Sequence, residues 1–367
     1  MSTPYAASII VSAAGNGQAG VTISPGGLPG PQGPALGPSD WLNVVTKYGA
    51  DPTGSTDSTT AFQDAISAAQ AVPGSVVWFP PGSYVCDAPL DADSTRGLAM
   101  LGPGGLSGGG YAAARITFTY AGSASALSAR SSAGFILQGI QVLYNNAGFT
   151  GYVVDLSHAT ASDSALFRIR DCVLGGNIVR TAAAVIFTNQ ADTGAVEGCN
   201  IVNAVDGIYG ITADSSYSNQ VSVRGSNQFS GLSGASVRNP GNGWSISENT
   251  FEALSTGKAG AIACDSGVHA YGVKITGNWL GDITAPGGTQ IAINGAGFDI
   301  SGNYIGYGTG NTGIAVGANS SGFTVKGNYF SAASGATAIS LGSGCTGYDC
   351  GQNATLNAAV FPSPLTG

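Results

Sequence analysis

The chain has 367 residues, with 59 glycines, 9% charged side chains and a formal net charge of −8. It carries only 12 lysines and arginines, in no run or stripe, which argues against nucleic acid as a partner because binding phosphates needs clustered cations. Abundant glycine with scarce charge disfavours a helix-rich fold, and since length alone permits two or three domains, the organisation has to come from repeats.

At the N-terminus, no stretch reaches the roughly 18 apolar residues that span a bilayer. The best, Ala6 to Ala14, is too short, so no membrane insertion is expected. The first basic residue is Lys47, so the positively charged leader of a secretory signal is missing, and exit by lysis or a dedicated machine is expected. Residues 1–25 read as an attachment segment. Residues 26–41 form a Gly/Pro linker with three collagen-like triplets, Gly27-Leu28-Pro29, Gly30-Pro31-Gln32 and Gly33-Pro34-Ala35. Glycine at every third place suits the axis of a triple helix and suggests three chains meeting. An extended linker accounts for the same composition. Both readings put a hinge here.

From residue 42 the pattern becomes regular. Asp57 or Ser58 can cap a helix starting near Thr59 whose Phe62, Ile66 and Ala69 share one face. The run Val76-Val77-Trp78-Phe79 reads as a buried strand stopped by Pro80-Pro81-Gly82, and a second strand starts at Tyr84. Such a helix covers the open end of a solenoid, which would otherwise expose strand edges and core.

Further on, GWSISENTF at 243, GVKITGNWL at 272, GFDISGNYI at 297 and GFTVKGNYF at 322 align directly. Their turn residues are Asn249, Asn278, Asn303 and Asn328, with Ile140, Cys172, Cys199 and Asn227 as looser equivalents, so coils recur every 22 to 32 residues. The asparagines read as a structural amide ladder within the turns. A second strand repeats in step, beginning at Ile262, Ile291, Ile314 and Ile339. Two registered repeats with variable remainders define a solenoid over residues 42–341, followed by a tail or cap over 342–367.

Stacking places equivalent residues of adjacent coils about 4.8 Å apart, so a catalytic carboxylate pair would appear as aligned acids. None does. Glu197 falls between Arg170 and Arg224, and Lys274 precedes Asp299, both of which read as surface ion pairs. Glu248, Glu252 and Asp265 remain as weak catalytic candidates, and loops holding Asp206, Asp214 and Asp282 are further places for acids to converge. Trp279, Tyr304 and Tyr329 follow the turn asparagines one above another and are the candidate glycan-binding residues, because aromatic side chains combine an apolar face with a polar edge. Packing against a neighbouring chain or loop is the alternative. The six cysteines, Cys86, Cys172, Cys199, Cys264, Cys345 and Cys350, match no zinc or redox spacing and read as buried small side chains, with Cys345 and Cys350 close enough to pair. His158 and His269 lie far apart. No metal site and no cofactor is expected.

Asn43-Val44, Tyr48-Gly49-Ala50-Asp51, Asp57, Thr60-Ala61, Ala65-Ile66 and Phe79-Pro80-Pro81-Gly82-Ser83-Tyr84 resemble the opening of pectate-lyase-superfamily β-helices. That superfamily includes polysaccharide enzymes and many phage tailspikes. The resemblance covers about 50 residues and none of the catalytic ones. It implies an all-β fold, a single-stranded right-handed parallel β-helix with a short N-terminal capping helix. With the linker, the missing leader and the lack of a catalytic set, it suggests a homotrimeric phage tail fibre or tailspike in the virion. Such a protein acts extracellularly, binds bacterial surface polysaccharide and joins other tail proteins through residues 1–25. The rivals are a polysaccharide lyase or glycoside hydrolase on the same scaffold and a purely structural virion protein.

Overall fold

The computed structural model describes residues 41–104, 114–158, 165–177, 179–213, 218–252, 260–283, 287–332, 335–356 and 361, with the strands Val11–Ala13 and Ala19–Val21 nearer the N-terminus. Two compact units divide the chain, Met1–Trp41 and Leu42–Gly367. In the first, the two short strands pair antiparallel. The triplets Gly27 to Ala35 lie outside the described residues.

The second unit is a right-handed parallel β-helix. Each coil lays one short strand on each of three parallel sheets. Sheet I has eleven strands, from Leu42–Asn43 to Thr324–Lys326; sheet II has eleven, from Gly82–Cys86 to Ala354–Thr355; sheet III has ten, from Leu90–Asp91 to Thr337–Leu341. Strand alternation sends one residue in and the next out, so each sheet builds a column of like side chains in the core. Val196, Val223, Ile246, Ile275, Ile300 and Val325 stack in sheet I, Ile201, Phe229, Phe251, Leu280, Ile305 and Phe330 in sheet II, and Ile208, Val237, Ile262, Ile291, Ile314 and Ile339 in sheet III. All are buried. β-branched and aromatic residues suit such half-buried pleats.

The turn from sheet I to sheet II is held by the amide ladder. Asn227, Asn249, Asn278, Asn303 and Asn328 each donate from Nδ2 to Oδ1 of the asparagine one coil on, at 2.9 to 3.1 Å, the last of them reaching Asn353. From Asn278 onward the same Oδ1 atoms also accept the backbone N–H of the preceding coil's asparagine at 3.0 to 3.1 Å. Satisfying buried polar groups in this way removes their desolvation cost. In the two coils before it the position is held by Cys172 and Cys199, whose thiols donate to the carbonyls of Arg170 and Glu197.

The capping helix α1 spans Thr59–Gln70 and buries Phe62, Ala65, Ile66 and Ala69. Phe62 meets Phe79 and Tyr84 edge-on, with centroids 5.0 and 5.2 Å apart. Ser58 stands at the N-cap, but its hydroxyl accepts the Asp51 N–H instead, and the Asp57 carboxylate takes the Thr59 N–H and hydroxyl. The motif aspartate Asp51 organises the preceding loop, accepting N–H groups from Thr53, Ser55 and Thr56 and the hydroxyls of Thr53 and Thr56. Those donors hold its carboxyl far below the usual carboxylate range.

At the other end the solenoid runs past Leu341. Asp349 bridges to Thr324 and its carboxylate meets the Lys326 ammonium at 2.5 Å, Asn353 joins the ladder and Ala354 pairs with Tyr329. The sequence hides this coil because Cys350 and Gln352 stand where Val325 and Gly327 set the pattern. All six cysteines are free thiols, including Cys345 and Cys350. Among the described residues no helix is long and apolar enough to cross a membrane.

Candidate functional site

The residue after each ladder asparagine begins a sheet II strand and points outward. On this row Gln228, Thr250, Trp279, Tyr304 and Tyr329 pair in register from coil to coil. The Trp279 and Tyr304 rings lie 6° from parallel with centroids 6.0 Å apart, and Tyr304 and Tyr329 are 19° and 5.7 Å apart. Trp279 is 44% exposed and Tyr329 38%, unusual for large aromatic side chains. The indole leans over Gly281, where any Cβ would stand 2.8 Å from the ring. The three residues therefore form one open aromatic strip across three coils.

The three candidate acids do not converge. Glu248 is exposed in the turn between sheets I and II, with a positive φ of 59°. Glu252 lies on the sheet II face, where it accepts the Gln228 amide at 2.7 Å. Asp265 follows the sheet III strand Ile262–Ala263, on another side of the coil. Asp214 and the side chain of Asp282 lie outside the described residues. Arg224 pairs with Glu197 at 2.8 Å, while Asp299, although in register with Lys274, accepts the Thr324 hydroxyl at 2.8 Å.

Asp265 does meet Asp206, through a residue that the aligned repeats did not single out. Arg238 grips Asp265 with Nε and Nη2, the latter at 2.7 Å, and reaches Asp206 with Nη1 at 3.1 Å. The Tyr209 ring lies 5.6 Å from the guanidinium, within cation–π range. Asp206 is nearly buried and also accepts the Ala235 N–H at 2.7 Å. Burial raises its pKa in spite of these donors. For Asp265 the upward pull of burial is outweighed by hydrogen bonds from Arg238 and Asn239, and its pKa falls. The two carboxyls are thus shifted in opposite directions, the kind of divergence that acid–base chemistry uses. Arg238 was legible in principle, since Val237-Arg238-Asn239 aligns with Ile262-Ala263-Cys264 in sheet III.

Farther along sheet III, Tyr152 and Phe187 stack at 4.2 Å, and Asp93 holds Arg130 at 2.7 Å and the Ser128 hydroxyl at 2.5 Å. Among the described residues no group of three or more His, Cys, Asp or Glu side chains is placed to hold a metal ion.

Three long parallel sheets, an internal amide ladder and a capping helix define a parallel β-helix protein. The chain belongs to the rhamnogalacturonase A/epimerase, pectate lyase-like family, whose model matches residues 41–261. Similar solved structures include the DFA-IIIase of Arthrobacter chlorophenolicus A6, at 15% identity over 87% of this chain and 85% of that one, with a TM-score of 0.60. The mannuronan C-5 epimerase AlgE6 A-module of Azotobacter vinelandii is 16% identical over 89% and 97%, with a TM-score of 0.53. The Dettilon tailspike protein (gp208) is 12% identical over 87% and 68%, with a TM-score of 0.53. At these identities the likeness is one of fold. No curated protein sequence matches significantly.

Proposed function

We propose that the protein binds bacterial surface polysaccharide along its lateral face, as a homotrimeric phage tail fibre or tailspike subunit that acts outside the cell and joins other tail proteins through residues 1–25. The observation that carries this reading is the open strip of Trp279, Tyr304 and Tyr329. Exposed aromatic side chains set at the coil spacing suit a linear glycan, whose sugar rings offer apolar C–H faces to a π system and hydroxyls to the phenol edges. The fold likeness to a tailspike supports the setting. The test is to incubate the purified protein with capsular, cell-wall and pectic glycans and follow both retention and new reducing or unsaturated ends. Retention without new ends is expected.

A second reading, cleavage of the glycan, draws on the cluster of Asp206, Arg238 and Asp265 with its divergent carboxyls. Under it, the two carboxyls bridged by Arg238 share the acid and base roles. The three contacts that Arg238 makes with Asp265 speak for a structural ion pair instead, because a carboxylate so engaged has less freedom to act on substrate.

A further inference from the structure

Sheet I turns a different face to solvent, and its charge is opposite to that of the chain. Strand alternation points Arg168 and Arg170 outward from one strand, Ala165–Arg170. The Arg168 column continues in register through Ala195, Ser222 and Ser245 to Lys274, and the Arg170 column beside it through Glu197, Arg224 and Ser247 to Thr276. The four cations are exposed, and the small residues between them are half-buried. Glu197 is the one acid in the two columns and is taken up by Arg224 at 2.8 Å. Four cations against one acid leave +3 on this face of a chain whose formal net charge is −8. Asp171 and Glu248 stand in the turn toward sheet II, beside the Arg170 column, and Asp299 closes the Arg168 column beyond Lys274. From Arg168 to Lys274 that column holds no acid. Arg168, Arg170 and Lys274 form no hydrogen bond or ion pair through their side chains among the described residues. Stacking thus assembles from distant residues a positive lane that the sequence does not show as a run, and such a field concentrates anions.

We propose that this lane binds a phosphodiester-linked polymer of the bacterial surface. It rests on the reading above for that setting and uses a different face from the aromatic strip. Phosphate oxygens accept charge-assisted hydrogen bonds from the neighbouring guanidiniums of Arg168 and Arg170 and from the Lys274 ammonium. The hydroxyls of Ser222, Ser245 and Thr276 add donors between them. Four coil steps separate Arg168 from Lys274, about 19 Å at the inter-strand spacing, so a ligand that engages both carries repeated anionic groups. The two columns hold no aromatic side chain on which a base or a sugar ring could stack. Recognition therefore falls on the charged backbone, which favours a base-free phosphodiester chain over single-stranded nucleic acid.

The test measures binding of a glycerol-phosphate oligomer to the full-length protein by calorimetry at several salt concentrations, beside a neutral polyglycerol, a hexuronate oligomer and an oligothymidylate. The wild type should bind the phosphodiester most tightly, lose affinity as salt rises and leave the neutral polymer unbound. Arg168→Gln and Lys274→Gln should each weaken binding about threefold, and the double variant about tenfold, because sites this far apart act additively. Melting curves check that the variants fold. Lys47→Gln removes the same charge from the N-terminal end of the solenoid and should change nothing. A wild type that binds no phosphodiester, a double variant that binds as the wild type does, an equal loss in Lys47→Gln, or tighter binding of the hexuronate or the oligothymidylate overturns the lane. Trp279→Ala, assayed with a neutral glycan, reads the aromatic strip separately, so failure of the lane is distinguishable from failure of the strip.

Discussion

The indole of Trp279 and the phenol ring of Tyr304 sit on consecutive coils 6° from parallel, their centroids 6.0 Å apart, on a face that leaves the indole 44% exposed. The register of the amide ladder produces this arrangement. Each ladder asparagine points inward, so the residue after it must point outward, and three successive coils place an aromatic residue there.

A glycan lying on this strip covers the indole, so its emission should shift to the blue on binding. Of the other three tryptophans, Trp244 is fully buried, while Trp41 and Trp78 are half-buried and do not belong to the strip. The shift should therefore vanish in Trp279→Phe, and a shift that persists there would place the contact elsewhere.

The cluster on sheet III makes a pH prediction with opposite signs for its two acids. Asp265, with a lowered folded pKa, contributes stability above its unfolded value that is lost as pH falls through the folded one. Asp206, with a raised folded pKa, contributes stability below its unfolded value that is lost as pH rises through the folded one. Carboxyl carbon NMR titration should find Asp206 above and Asp265 below the ordinary 3.8.

Arg238 is the residue that makes the burial of Asp206 tolerable. Arg238→Met should cost about 3 kcal/mol, because it strands a buried carboxylate. Adding Asp206→Asn should recover part of that loss in denaturant unfolding. A single variant as stable as the wild type would show that Asp206 is already protonated.

The amide ladder gives a position-dependent prediction. Asn278→Ala removes donors to Asn303 Oδ1 and the Ile246 carbonyl and the acceptor for Asn249, and should cost about 3 kcal/mol. Asn353→Ala, at the end of the ladder and partly exposed, should cost about 1 kcal/mol. Equal losses at the two sites would mean that the ladder does not act as a chain.

Much of this architecture is legible in the residues. The repeated Gly-Asn turns locate the coils, the registered isoleucines locate sheet III from Ile262 onward, and Phe62, Ile66 and Ala69 mark the buried face of α1. The coil ending at Thr355 is not legible, because Cys350 replaces the usual branched residue. The bridge from Asp206 through Arg238 to Asp265 is hidden for another reason: stacking aligns equivalent positions on neighbouring coils, whereas Arg238 reaches acids at non-equivalent positions on either side.

The most direct test of the central claim is retention of surface glycans by the wild type and by Trp279→Ala and Tyr329→Ala, with end-group release followed in the same samples. The account predicts that the wild type retains a glycan without new reducing or unsaturated ends and that each variant loses about tenfold in affinity while melting as the wild type does. Release of new ends, or retention that survives both substitutions, would contradict it.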